Sequence, residues 1–423
     1  MSAPATAVQV SFTAATLTGN HGGEAMLLAA MGRLRERVPD AAFNVFSYYP
    51  REDREGVDDP SVRVFSLTPL ALVLRLVPLA VLLAGARRLG LGGAFPLFPA
   101  DVRALAGSRV LVDLAGVSFV AGRERFLPYN VLTLVPAFLL GVPVVKAAQA
   151  MGPFPVGSNR LAAEPVLGRC AAVFARGERS FRFVRELLGP RPAVRRADDM
   201  AFLLESRDAL ARHEAPGLAP LLRRIAERRG SARSVVGLCP SSLLGARPKG
   251  GYVELVGAMV SELVAAGDLV VLFPNATRGT ASAGPRNNDL HVIERVLEGL
   301  APGVRSAVVA VEEDVHAFEI LQVIQAVDLA VVSRFHAMVG ALSLGKPTVV
   351  VGWSHKYLEV MEEFGLSEHV FDAREAALGR VLESLASFRS DLHGHRSRIG
   401  AKLEGVRASA RRQIDLIADM MRP

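Results

Sequence analysis

Cysteine, lysine and tryptophan are all scarce in this 423-residue chain, which holds two cysteines, five lysines and one tryptophan. Cys170 and Cys239 sit beside or inside apolar, strand-like runs, with neither a disulfide framework nor metal-ligand spacing. They read as buried thiols in a reducing compartment, so a cytoplasmic location is expected. Aromatic residues make up only 6%, too few for a base-stacking platform, and no nucleic-acid partner is expected. No H-E-x-x-H pattern or clustered carboxylate–histidine set occurs, so neither a metal nor a resident cofactor is expected. The N-terminus, MSAPATAVQVSF, lacks the basic stretch and apolar core of a signal peptide. Internal repeats and low-complexity tracts are absent as well.

What the chain does have is apolar residues, 50% of the total, and arginine, which carries nearly all of a +7 net charge. The arginine clusters Arg33–Arg35–Arg37, Arg223–Arg224 and Arg228–Arg229 lie in helix-like patterns. They read as solvated helix faces, with attraction to anionic substrates or a lipid surface as the functional alternative. The length exceeds one ordinary core and suits two domains. The segment Leu67–Gly93 is nearly continuous apolar sequence. Arg75 and Pro78 interrupt it, and the cleaner run Leu79–Ala86 is too short to span a bilayer. A buried or interfacial helix is expected. If it is interfacial, Arg87–Arg88 sit at the headgroups and 67–93 makes a peripheral membrane contact.

Short β-rich runs alternate with helical patterns. Strands are expected at Ala7–Ala14, Phe43–Tyr48, Val62–Ser66, Val110–Leu114, Pro143–Ala147 and Ala171–Ala175, then at Ser234–Cys239, Leu269–Phe273, Arg305–Val311, Leu329–Val332 and Pro347–Val351. The clearest helix is Glu24–Val38, with Leu27, Met31, Leu34 and Val38 on one face. Others are expected at Tyr252–Ala266, Asp289–Leu297, His316–Ala326, Phe335–Leu344 and Tyr357–Phe364. This alternation predicts an α/β protein of two Rossmann-like domains, with parallel sheets facing a cleft. The boundaries fall at 1–204 and 234–373, joined by a connection at 205–233 without β character and followed by a helical segment at 374–423.

Ligands of open α/β sheets bind beyond the carboxyl ends of the strands, which turns the strand map into a site map. After the first strand come Gly19, Asn20, His21, Gly22, Gly23 and Glu24, a turn that either caps a helix on Asn20 or aims backbone N–H groups at a ligand. Later strand ends carry Asp113, Gln149, Arg176 and Ser180. A long polar loop follows Phe273 and offers Asn275, Arg278, Asn288 and Asp289; Asp289 is equally well a helix-terminal carboxylate. Ser333, Arg334 and His336 leave one strand and Lys356 follows the next. Two cations and a histidine at a helix start suit a small polyanion. Beside cations the pKa of His336 falls, unless a bound anion keeps it protonated for acid catalysis.

SRFHAMVGALSLGKPTVV, with GWSHKY after it, resembles the polysaccharide pyruvyl transferase family. GNHGGEAM, VVKAAQAMGPF, FARGERSF and DDMAFLL are similar to further segments of that family, in order, from about Thr18 to Phe364. Two departures stand out: Gly23 occupies the place where the family usually has an acid, and Leu67–Gly93 is unusually apolar. The resemblance implies a fold of the GT-B kind, phosphoenolpyruvate as donor, a saccharide acceptor of the cell envelope or an extracellular polysaccharide, and a pyruvate ketal as product. It places the acceptor on the first domain and the donor on the second. His336 is then the catalytic acid, with Arg334, Lys356, Arg176, Ser180 and Ser333 around the donor. Gly19, Asn20, Glu24, Gln149, Asn275 and Asp289 fall to the acceptor, and the apolar segment hints at a lipid-linked one. Two alternatives stay open: a nucleotide-sugar glycosyltransferase using Glu359, Glu362 or Glu363 on a ribose, and a non-catalytic scaffold in glycan assembly.

Overall fold

The computed structural model describes residues 8–155, 157–190, 193–205, 215–246, 251–278, 287–352 and 355–422. The chain divides into two units. Unit 1 comprises Met1–Leu17, Met26–Ala211 and Arg407–Pro423; unit 2 comprises Thr18–Ala25 and Arg212–Val406.

Unit 1 is built on seven strands: β1 (Val8–Thr13), β2 (Ala41–Ser47), β3 (Val62–Ser66), β4 (Val110–Asp113), β5 (Val144–Gln149), β6 (Ala172–Ala175) and β7 (Ala193–Arg196). They form one parallel sheet in the order β3-β2-β1-β4-β5-β6-β7. Every residue of β4, β5 and β6 is buried. Strands covered by helices on both faces are mostly apolar, and here Asp113, Lys146 and Gln149 are the buried polar exceptions. Unit 2 holds β8 (Val235–Cys239), β9 (Leu269–Leu272), β10 (Val309–Ala310), β11 (Leu329–Val332), β12 (Thr348–Gly352) and β13 (Val370–Asp372). These are also all parallel, in the order β10-β9-β8-β11-β12-β13. Each sheet reverses its direction of winding once, between β1 and β4 and between β8 and β11. Doubly wound sheets bind ligands at that point.

Two expectations need correction, at 305–311 and at 205–233, while the C-terminal segment is helical as expected. Residues 305–307 belong to a helix, Pro302–Ala307, and only Val309–Ala310 pair as a strand. Pro302 supplies the fixed φ that opens a helix. The stretch expected as a connection contains the helix Leu218–Arg229, with Leu218, Leu221 and Ile225 buried on one stripe. It is part of unit 2, and residues 206–214 lie outside the described residues. The C-terminal segment is two helices, Leu378–Ser390 and Leu392–Met421. The end of the last one belongs to unit 1, where Gln413 accepts from the Ala148 N–H at 2.7 Å and donates to Asp198 O at 2.8 Å.

Candidate functional site

One cluster of buried polar residues in unit 2 lies at the carboxyl edge of its sheet. Asp289 is fully buried and links three loops there. Its Oδ1 accepts from the Ser242 N–H at 2.8 Å, after β8. Its Oδ2 accepts from the N–H groups of Asn275 and Ala276 at 3.1 and 2.9 Å, after β9. Arg334, after β11, donates its Nε–H to both oxygens at 3.0 Å. The same guanidinium donates to Asn287 Oδ1 at 3.2 Å and to Ser242 Oγ at 2.8 Å. A buried ion pair is stable when hydrogen bonds satisfy the remaining lone pairs and protons, and this one is well supplied. Arg334, expected at the donor, and Asp289, expected at the acceptor, therefore hold each other. Together they fix the turn that carries His336. The Asp289 carboxylate makes no cap bond to its own helix.

The helix Phe335–Ser343 follows immediately. His336 stands on its first turn, against Gly22 of the helix His21–Arg37. A Cβ at Gly22 would lie 1.9 Å from His336 Nδ1, so only glycine leaves room for the ring. Gly19 holds φ +79°, and a Cβ there would lie 3.3 Å from Arg278 Nε. Lys356 Nζ lies 4.9 Å from the centre of the Phe335 ring, and the His336 ring is 5.2 Å from the same ring. The GNHGGE turn thus meets Arg278 through Gly19 and His336 through Gly22, all inside unit 2.

Glu24 lies at the far end of that turn. Its Oε2 accepts from His21 Nδ1 at 2.7 Å and from the Ala317 N–H at 3.0 Å, and its Oε1 faces His316 Nδ1 at 3.1 Å. Burial alone would raise the pKa of Glu24, but the hydrogen bonds from His21 and His316 outweigh it and bring it down to about 2. Its bond to Glu24 pushes His316 up to about 9, against burial. His316 is therefore a cation at neutral pH, paired with an ionised Glu24. On the other side His21 Nε2 lies 2.6 Å from Thr277 Oγ1, and the Thr277 hydroxyl donates to Asp314. A continuous polar chain runs Asp314–Thr277–His21–Glu24–His316. Sequence reasoning missed Thr277, Asp314 and His316. The signal was EEDVH, a histidine with neighbouring acids just before a helix, and it reads first as a helix cap.

The remaining expected residues fall as follows. Asn20 is exposed, and its carbonyl accepts from the Glu24 N–H at 3.0 Å. The Asn275 side chain is buried beside the Asp289 junction. The Ser333 carbonyl accepts from the Tyr357 hydroxyl at 3.1 Å. Gln149, Arg176 and Ser180 lie in unit 1. Gln149 donates to Asp113 O at 2.8 Å and accepts from Ser118 at 2.6 Å. Arg176 pairs with Asp199 and donates to Gly116 O at 2.8 Å. Ser180 Oγ accepts from the Met151 N–H at 3.1 Å. Lys146, inside β5 and fully buried, reaches Asp113 at 2.5 Å. These residues form a buried polar network within unit 1. Trp353 and Ser354, and residues 279–286 of the long loop, lie outside the described residues. Among the described residues no three His, Cys, Asp or Glu side chains cluster to hold a metal ion.

A family model described as polysaccharide pyruvyl transferase matches residues 20–238 and 268–355. Solved structures share the fold at low identity. The Medicago truncatula protein UGT71G1, complexed with UDP-glucose, aligns with a TM-score of 0.54 at 10% identity, over 97% of this chain and 98% of that one. Anabaena HepE with UDP-glucose aligns at 0.51 and 14%, over 98% of both chains. A Rickettsia africae glycosyltransferase aligns at 0.55 and 9%, over 99% of this chain and 100% of the other. The fold is that of the GT-B glycosyltransferases.

Proposed function

The chain belongs to the polysaccharide pyruvyl transferase family, and from that premise we propose that it moves the enolpyruvyl group of phosphoenolpyruvate onto two hydroxyls of a saccharide in envelope or extracellular polysaccharide synthesis. One observation carries the reading. The first and last segments of the family pattern meet in one unit, with Gly22 directly against His336. A histidine held there, with Lys356 beside the adjacent Phe335 ring and Arg278 against Gly19, suits a small anion bearing a carboxylate and a phosphate.

The reaction balances without a further reagent. His336, protonated, gives its proton to the methylene carbon of phosphoenolpyruvate, which becomes a methyl group. Positive character develops at the adjacent carbon, and one sugar hydroxyl attacks it. The carbon–oxygen bond to phosphate breaks, and a second hydroxyl closes the ketal. Of the two hydroxyl protons, one restores His336 and the other leaves on phosphate. Lys356 and Arg278 offset charge on the donor's anionic groups, and His316 adds a fixed cation beyond Glu24. Arg334 works one step back from the donor, by fixing the turn on which His336 stands. This reading puts the donor on the second unit.

Calorimetric titration with phosphoenolpyruvate, and separately with UDP-sugars, tests the donor. The protein should bind phosphoenolpyruvate, and Lys356→Ala should weaken that binding. Phosphate release with diol-bearing saccharides then tests the chemistry, and His336→Asn should lower it by about 10²–10⁴ while donor binding changes little. Binding of a UDP-sugar alone would overturn the pyruvyl-transfer reading in favour of glycosyl transfer on the same fold.

A further inference from the structure

The helical stretch Pro69–Arg88 packs one stripe inward and leaves the opposite face apolar. Thr68 caps its start, accepting from the Ala71 N–H at 3.3 Å. Leu72, Leu76, Ala80 and Leu83, spaced four, four and three apart, are buried in the core cluster of unit 1. A surface helix normally turns charged and polar residues the other way. This one turns out Leu70 and Leu74, each 72% exposed, with Val73, Val81 and Leu82 beside them. The apolar surface continues through the turn after the helix, where Leu97 is 85% exposed.

The stretch is apolar enough to cross a bilayer by length and composition, and only 22% of that window is buried. It does not cross one here, because its inner stripe is built into the core of unit 1. It lies along the protein with its greasy side outward.

Charge decides what covers that side. No Asp or Glu occurs between Pro60 and Ala100, while Arg63, Arg75, Arg87 and Arg88 do. Arg88 is exposed at the end of the helix, and Arg87, also exposed, donates to Leu140 O at 3.1 Å and lies 5.7 Å from the Phe95 ring. A second copy bound about a two-fold axis would set this patch on itself. Arginine would then face arginine with no local carboxylate except Asp101, which Arg75 of the same chain already engages at 3.1 Å. An anionic lipid surface matches both features: leucines enter the acyl boundary and guanidinium groups meet phosphates.

We propose that residues 69–97 form a peripheral membrane-docking surface that selects anionic lipid. The inference stands on this surface alone and is independent of the donor.

Flotation of the full chain with two kinds of vesicle tests it, one of phosphatidylcholine alone and one also containing phosphatidylglycerol. The wild type should float with the anionic vesicles and lose binding at high salt. Leu74→Gln/Leu82→Gln should cut partitioning at least about tenfold, since each leucine's burial is worth about that factor. Arg88→Glu should lower binding to anionic vesicles only. Both variants change exposed side chains, and an unchanged melting temperature verifies their fold. A wild type that stays behind with anionic vesicles would overturn the proposal. So would equal binding by the leucine variant, or a dimer in sedimentation that the leucine variant dissociates.

Discussion

At the carboxyl edge of the unit 1 sheet, Lys146 is buried against Asp113, and Arg176 against Asp199. At the corresponding edge of unit 2, Arg334 is buried against Asp289. The two sheets share the order 3-2-1-4-5-6 counted from their own first strands, so these ion pairs serve the same topological place. What differs is histidine. All nine histidines of the chain fall in the residues of unit 2, and none in those of unit 1. Histidine is the one side chain whose ordinary pKa lies near neutrality. Buried ion pairs occur in both units and hold loops in place. Groups able to exchange a proton near pH 7 through an imidazole occur in one. Sequence types alone would mark both edges alike; the histidines set the unit 2 edge apart.

The largest effects should separate along that line. His336→Asn keeps the shape of the ring's place and removes the acid. Phosphate release should fall by about 10²–10⁴, with the urea midpoint unchanged. Lys146→Met should behave in the opposite way. It leaves Asp113 buried without its partner, which costs about 3–5 kcal/mol. It should appear first as a lowered urea midpoint. If Lys146→Met kept its stability and lost turnover, unit 1 would hold reacting groups too, and the division would fail. Asp289→Ala lies between the two cases. It strands Arg334 at a similar cost and frees the turn carrying His336, so stability and turnover should fall together.

Much of this was legible in the sequence, and the reason is burial. Central strands such as β6 and β11 are apolar runs bounded by turns, and their expected limits, Ala171–Ala175 and Leu329–Val332, match the structure to within about one residue. Two edge strands, β7 and β13, were not legible. β7 reads AVRR and β13 has three residues, so neither carries the apolar signal of a strand covered on both faces. β10 was overextended because the alternation in VRSAVVAV suits a half-buried strand, while Pro302 starts a helix there. At the site, the residue types and strand ends pointed to His336, Lys356 and the glycine turn. Partnerships were hidden, because Asp289 and Arg334 each look like a ligand-binding charge until they are seen to bind each other. His316 was missed for a related reason: its role comes from Glu24, far away in the chain.

Two glycines sharpen the comparison at a smaller scale. Gly22 in unit 2 has no positive φ, and a Cβ there meets the His336 ring. Gly22→Ala should lower the melting temperature, because the added Cβ overlaps the His336 ring, with alanine's preference for the helix offsetting part of that cost. Turnover should fall by at least about tenfold as the ring is pushed from its seat. Gly152 in unit 1 has φ +77°, and a Cβ there lies 2.7 Å from Phe183 Cβ. Gly152→Ala should cost stability through strain and crowding, by roughly 1–3 kcal/mol, and change turnover less than Gly22→Ala does. Equal losses of turnover would mean that the Gly22 contact does not set His336.

The gentlest prediction concerns pH, and its sign follows from Glu24 and His316. The pKa of His316 rises on folding from 6.5 to about 9, because its bond to Glu24 outweighs burial. The stability it contributes is fully present below pH 6.5 and is lost as pH rises through about 9. The pKa of Glu24 falls on folding from 4.5 to about 2, because the bonds from His21 and His316 outweigh burial. Its contribution is fully present above pH 4.5 and is lost as pH falls through about 2. Both shifts describe one interaction, so they are not added; the pair should support unit 2 most strongly between pH 4.5 and 6.5. Thermal melts across pH should show a decline from near pH 6.5 towards 9 that His316→Gln flattens. Unit 1 has no histidine to contribute such a decline, so hydrogen exchange resolved by segment should localise it to unit 2. A decline that persists unchanged in His316→Gln would assign the alkaline limb to other groups and leave the Glu24–His316 bond with no measurable part in stability.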